Sequence, residues 1–277
     1  MSEGAGRQPP LPRARKRFGQ HFLTDPRILG RIVDAVAPER SDTALEIGPG
    51  RGALTDLLAA RAGRVVAIEI DRDLARHLRQ RYQSAPNVTV IEDDALDVIW
   101  TQHVGSDFLL AGNLPYNLTT PLLFKALDPP LRRRAVFLVQ REVAERIVAP
   151  PGGKEYGALS VNLRVAMEIE IIARVPAGAF QPRPSVDSAV IRLVPRNASP
   201  LAATDTRPFR EFVQSVFAMR RKQLQRILRS TGLEAEAADQ ALAAAAVDPM
   251  ARPETLPVDA FVELFRSVVE QRRRAKA

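Results

Sequence analysis

Residues 45–55 read LEIGPGRGALT. A β-rich run, TALEI at 43–47, ends in glycines at 48, 50 and 52, and a helix-forming stretch from 52 to 62 follows at once. Glycine lets the backbone turn tightly where any Cβ would intrude, so strand, glycine turn and helix read together as the opening of a βαβ unit. The same alternation continues outward. Strands RVVAIEI (64–70), VTVI (88–91), FLLAG (108–112) and AVFLVQ (135–140) are interleaved with helices at 72–83, 119–127 and 141–149. That spacing predicts an α/β fold with a mostly parallel, doubly wound sheet. Two later strand-like runs, EIEIIARV and VDSAVIRLV, joined by AFQPRPSVDS, suit an antiparallel edge. Upstream, TDPRILGRIVDAVA offers Thr24 or Asp25 as N-cap, Pro26 in the first turn and an apolar stripe through Val36, an amphipathic helix ending at Pro38.

The glycine turn is not the dinucleotide fingerprint, which wants G-x-G-x-x-G over a pyrophosphate. Here Glu46 precedes G-x-G-x-G with a proline inside it. A carboxylate beside the loop repels a pyrophosphate and suits a cation, such as the sulfonium and amino group of S-adenosylmethionine; a purely structural glycine turn is the plainer alternative. Glu69 ends the second strand, 21 residues after Gly48, where an acid can accept both hydroxyls of a ribose. Asp71 competes with it and can instead cap the next helix. Asp94, after the third strand, can accept from an adenine amino group or cap a helix.

The fourth strand runs into Asn113, Leu114, Pro115 and Tyr116, where a plain turn would use Gly, Asp or Ser. Methyl transfer is an in-line displacement needing a nucleophile about 3 Å from the methyl, and an exocyclic aromatic amine is a poor one because its lone pair is delocalised. An Asn oxygen and a backbone carbonyl accepting the two amine N–H bonds localise that pair; the catalysis is then positional and electrostatic. Pro115 sets the turn and biases Leu114 to an extended conformation, so that the Leu114 carbonyl can turn inward. Tyr116 would stack on a base drawn out of its helix, and Phe180 either closes the base's other face or is a core aromatic.

Bulk properties agree with a nucleic-acid partner without requiring one. The 277-residue chain carries a formal charge of +8 with a pI near 10.5. It has no Cys and only His21, His77 and His103, which excludes disulfides and thiolate zinc sites and argues against a metal. No segment has the apolar length of a membrane span or a signal h-region, so a cytoplasmic protein without membrane contact is expected. Residues 1–17 hold five basic residues and three prolines and read as a flexible basic arm. Residues 195–206 read as a linker, after which RPFREFVQSVFAMRRKQLQRILRSTG, an Ala-rich helix near 234–246 and VDAFVELFRSVVEQ make an all-helical end. The expected division is arm 1–17, catalytic domain 18–200 and helical domain 201–277.

Taken together, FGQHFL, EIGPGRGALT, AIEID, DDAL, NLPYN with TTPLLFK, LVQREVAERI, KEYGALSV, FQPRPSVDS and FAMRRKQLQRIL resemble the small-subunit ribosomal RNA adenine dimethyltransferases, from Phe18 to about Phe265. The resemblance implies a Rossmann-like methyltransferase sheet of seven strands with a small C-terminal all-α domain that helps hold rRNA. It implies cofactor contacts at His21, Leu23, Gly48, Glu69, Asp94 and Asn113, and target-base contacts at Asn113, Leu114, Pro115 and Tyr116. The implied reaction moves four methyl groups from S-adenosylmethionine to N6 of two adjacent adenines near the 3′ end of 16S rRNA, within the 30S subunit or its precursor, with the enzyme a monomer. Many relatives carry Asn where this chain has His21; either side chain can bond a cofactor carboxylate. The 23S rRNA methyltransferases of macrolide resistance share the NLPY-type motif, and a non-catalytic assembly factor could share the fold. The basic arm, Arg220, Arg221, Lys222 and the rest of the 220–229 stretch, and the RRRAKA tail are expected RNA contacts.

Overall fold

The computed structural model describes residues 12–15 and 18–275. Among them, seven strands form one sheet in the order β4-β3-β2-β5-β6-β9-β7: β2 (Thr43–Ile47), β3 (Arg64–Glu69), β4 (Val88–Glu92), β5 (Leu109–Asn113), β6 (Arg134–Gln140), β7 (Met167–Val175) and β9 (Ser188–Pro195). The first five pair in parallel, and β9 runs antiparallel to both β6 and β7. The expected antiparallel strand therefore lies one place inside the edge, because the chain passes β6, crosses to the rim as β7 and returns between them. A two-residue pair, β1 (Phe22–Leu23) with β8 (Phe180–Gln181), has no counterpart in the expected pattern.

Both faces of the sheet are buried, and alternate residues of each strand feed separate apolar clusters. Ala44, Val65, Leu109, Ala111, Val136 and Leu138 pack with α1 (Pro26–Val36) and α2 (Ala53–Arg61). Leu45, Val66, Leu110, Phe137 and Val139 face the other way, toward α4 (Trp100–Val104), α5 (Thr119–Lys125), α6 (Arg141–Val148) and α7 (Ala158–Arg164). This period-2 sorting between two buried faces is what a helix-covered parallel sheet demands. α1 is capped by Asp25, whose carboxylate accepts from the N–H groups of Arg27 and Ile28, while the Thr24 hydroxyl donates to the Ala179 carbonyl at 3.1 Å. α3 (Arg72–Arg81) completes the layer around β3 and β4, with Asp71 as its N-cap.

The helical end consists of α8 (Thr206–Ala218), α9 (Leu224–Ser230), α10 (Ala235–Ala244) and α11 (Val258–Arg274). Its apolar residues continue the second cluster without a break, so these helices pack directly on the α7 side of the sheet. The run RPFREFVQSVFAMRRKQLQRILRSTG is interrupted at 219–223, where the backbone turns between α8 and α9. Tyr156, fully buried, donates from its hydroxyl to the Leu256 carbonyl at 2.8 Å, and the Gly152 N–H donates to the Glu254 carbonyl at 2.7 Å. Arg220 turns into this junction: it donates to the Lys154 carbonyl at 2.9 Å and lies 3.7 Å from the Glu254 carboxylate. Expected to face RNA, it ties the KEYG loop to the helices, whereas Arg221, Lys222 and Arg226 are exposed. Of the RRRAKA tail, Arg272–Ala275 are described, Arg274 pairing with Glu270, and residues 276–277 lie outside the described residues.

Of the basic arm, residues 1–11 and 16–17 lie outside the described residues. Pro12–Arg15 lie against α3, with Arg15 at 3.3 Å from Asp71 and also paired with Asp73, and with Arg51 donating to the Pro12 carbonyl at 3.0 Å.

Candidate active site

The carboxyl ends of β2, β3, β4 and β5 border one cleft of about 720 Å³, the part open to solvent included, where ligands of open α/β sheets bind. Three segments supply its walls. The glycine turn brings Gly48 and Gly50, both at positive φ. At Gly50 (φ 58°) a Cβ would stand 2.8 Å from the Phe22 ring, so glycine here makes room for the FGQHFL segment as well as for a ligand. β3 and β4 bring Glu69, Ile70, Asp93 and Asp94, and β5 brings Asn113 with Leu114, Pro115 and Tyr116. Phe18, Gly19, Gln20, His21 and Phe22 close the front.

Glu69 is buried at the end of β3, where its two oxygens accept from the Gly50 N–H at 3.1 Å and the Asp71 N–H at 2.9 Å. Burial outweighs these bonds and pushes its carboxyl up to about 7. Glu46, expected beside a cationic ligand, does not border the cleft. It is 1% exposed, accepts from the Thr55 hydroxyl at 2.6 Å, and burial pushes it up to about 8. The reason is register. Glu46 pairs with Ala67, two residues back from Glu69, so it lies about 6–7 Å deeper in the sheet, under the first turn of α2. Asp71, the competitor for a ribose, is also engaged: it caps α3, accepts from Gln20 at 3.0 Å and pairs with Arg15. Asp94, partly exposed, starts a turn by accepting from the Leu96 N–H at 2.8 Å.

Across the cleft, Asn113 donates from Nδ2 to the His21 carbonyl at 2.7 Å. With the amide nitrogen held there, its Oδ1 is the end left to accept from a ligand. The Leu114 N–H donates to the Leu138 carbonyl at 3.1 Å, and the Pro115 carbonyl accepts from the Leu118 N–H at 2.9 Å, which fixes the turn between β5 and α5. The Tyr116 hydroxyl and Ser188 Oγ are 2.9 Å apart, and the Tyr116 ring is stacked with His21 at 5.7 Å between centroids. His21 in turn holds the Pro182 carbonyl at 2.8 Å from Nδ1. One residue thus joins the front segment, the amide turn and the FQPRP loop.

Two further expected site residues do not border the cleft. Leu23 and Phe180 face each other in the β1–β8 pair, and both are buried in the cluster around α1. The core alternative for Phe180 is the one this structure shows, because pairing with β1 directs its ring inward; the ring stacked with Tyr116 is that of His21. Sequence reasoning also passed over Gln20 and Ser188, although both stand inside quoted motifs, FGQHFL and PSVDS. Their partners, Asp71 and Tyr116, are 51 and 72 residues away, so no local pattern exposes the pairing. Among the described residues, no Lys or Arg lines the cleft, and no cluster of three metal-ligating side chains occurs. The lining carries acids and no cation, a poor match to a dinucleotide pyrophosphate and a good one to a cationic, hydroxyl-bearing ligand.

Comparison with known proteins agrees with this reading. A family model described as ribosomal RNA adenine dimethylase matches residues 12–270. Curated proteins named ribosomal RNA small subunit methyltransferase A are similar over nearly the whole chain. The one from Geobacter metallireducens is 41% identical, covering 93% of this chain and 96% of its own. The one from a Synechococcus species is 44% identical, covering 96% and 97%. Among solved structures, a dimethyladenosine transferase from Plasmodium falciparum superposes with a TM-score of 0.79 at 27% identity, covering 91% of this chain and 98% of its own. The 23S rRNA methyltransferase ErmE does so with 0.69 at 28% identity, covering 90% and 99%.

Proposed function

The chain belongs to the ribosomal RNA adenine dimethylase family, a family of rRNA methyltransferases, and from that premise we propose that it dimethylates N6 of two adjacent adenines near the 3′ end of 16S rRNA. S-adenosylmethionine is the donor, and the substrate is the 30S subunit or its precursor, met by a monomer in the cytoplasm. Residues 18–200 form the catalytic part and 201–277 the part that helps hold RNA. The small-subunit assignment is supported by curated relatives at 41–44% identity that carry that name, against 28% for the 23S enzyme.

The observation that carries the catalytic reading is the Asn113 amide, pinned by its nitrogen to the His21 carbonyl beside an acid-lined cleft. The donor's residues are Glu69 for the ribose hydroxyls, Asp94 for the adenine amino group, and the backbone around Gly48 with His21 for the methionine end. When bound, S-adenosylmethionine supplies an electrophilic methyl on a sulfonium. Asn113 Oδ1 and the Leu114 carbonyl accept the two N–H bonds of the target amine and aim its lone pair into the cleft. Tyr116, steadied by Ser188, offers its ring to the extruded base. Neither carbonyl is basic enough to take a proton, so rate comes from placement and from charge stabilised as the amine becomes cationic, and the proton passes to water once the methyl has been transferred.

The test is to incubate the protein with tritiated S-adenosylmethionine and undermethylated 30S subunits, then digest the RNA. N6,N6-dimethyladenosine from 16S rRNA is the expected product. Label in 23S rRNA moves the assignment to the other branch, and subunit binding without label makes the chain an assembly factor.

A further inference from the structure

Lys125 ends α5, the helix that begins just after the Asn113–Tyr116 turn. Its Nζ donates to the carbonyls of Leu96 and Val98, the latter at 2.7 Å, and lies 5.2 Å from the centre of the Trp100 ring. Those two carbonyls belong to the turn that Asp94 starts: the Asp94 carboxylate accepts from Leu96, and its carbonyl accepts from the N–H groups of Asp97 and Val98 at 2.9 and 3.1 Å. At the opposite end of α5, the Thr119 hydroxyl donates to the Pro115 carbonyl at 3.1 Å. α5 therefore has one end tied to the amide turn and the other to the acidic turn, although these turns follow different strands, β5 and β4.

We infer that Lys125 is a positioning residue that locks the Asp94 turn to the Asn113–Tyr116 turn through α5, so that the donor's adenine and the target amine are held in one frame. It touches neither ligand. An ammonium suits the task because it offers several donors to carbonyls that an apolar side chain would leave unmatched. The stem and the Trp100 contact explain ordinary packing; the pair of charge-assisted bonds to one functional turn is the part that packing does not require. The inference rests on the donor and target sites proposed above.

The variant is Lys125→Met, which keeps the stem and deletes the donors, with Lys125→Arg as its conservative partner. S-adenosylhomocysteine is titrated calorimetrically into the full chain, and donor KM, kcat and Tm are measured beside it. The donor dissociation constant and KM of Lys125→Met are expected to rise roughly 10-fold, and kcat, which depends on the alignment of the two turns, to fall by a similar factor. Lys125→Arg should recover most of the affinity, with Tm little changed in both. Wild-type donor affinity in Lys125→Met overturns the inference, as does a joint loss of affinity, kcat and Tm that Arg does not rescue. A wild-type protein that fails to bind S-adenosylhomocysteine would instead overturn the functional reading on which the inference stands.

Discussion

The two sides of the cleft are built from different chemistry. The side proposed for the donor uses carboxyls at strand ends: Glu69, oriented by the N–H groups of Gly50 and Asp71, and Asp94, which accepts from the Leu96 N–H. The side proposed for the target carries no acid: an amide, a proline and a phenol, the amide and the phenol each bonded to another segment. A cationic, hydroxyl-rich donor is recognised by charge and hydrogen bonds, whereas a neutral aromatic amine has to be aimed. Damage to the target side should therefore appear in kcat or RNA affinity, and damage to the donor side in donor affinity.

Asn113→Ala is the sharpest way to break the contrast. It should lower kcat by about 10³-fold, the scale of losing one oriented transition-state contact, while 30S binding measured by filter retention is largely kept. Wild-type turnover would sink the role of Asn113. Next, Tyr116→Ala removes the stacking surface and should weaken RNA use by about 10–100-fold in kcat/KM with donor affinity nearly unchanged. A matching loss of donor binding in calorimetry would erase the division between the two sides.

On the donor side, Glu69→Gln puts an NH₂ group against the Gly50 or Asp71 N–H and should weaken S-adenosylhomocysteine binding by roughly 10-fold with kcat little affected. The same carboxyl predicts a pH dependence. Because its folded value is raised to about 7 and the ionised form is the proposed acceptor of the ribose hydroxyls, donor affinity should climb as pH rises through 7 and flatten above it. The Gln variant should lose that slope, and a wild-type affinity independent of pH between 6 and 8 would count against Glu69 as the ribose acceptor.

Glu46 gives the smallest effect. Its folded value, raised from 4.5 to about 8, means that its neutral form is favoured by folding; the stability it contributes is full below 4.5 and is lost as pH rises through 8. Glu46→Gln should leave donor affinity unchanged and make Tm fall less than that of wild type between pH 5 and pH 8. A loss of donor affinity would place Glu46 at the ligand after all.

The comparison of Glu46 with Glu69 also shows how far the sequence could be read. Both are acids at the end of a β run, Glu46 before the glycine turn and Glu69 in AIEID, and the sequence offers a ligand group to each. Two residues of register separate a carboxyl that borders the cleft from one that lies beneath α2. The place of Phe180 is decided in a similar way: a two-residue strand pairing between segments about 160 residues apart buries its ring, and it is His21 that meets Tyr116. Arg220 looks like any basic residue in a charged run, and only the packing of α8 and α9 on the KEYG loop turns it inward.

What the sequence determined by itself is the local part. The alternation of strand and helix, the glycine turn, the Asp25 cap with Pro26, and the amide-proline-tyrosine stop at the end of β5 follow from backbone preferences and period, which act over a few residues. Tertiary structure decided which of two strand-end acids borders the cleft, which aromatic ring meets Tyr116, and which cations serve as struts. Each of those choices depends on register and on partners far away in the chain, and neither is encoded in the neighbouring residues.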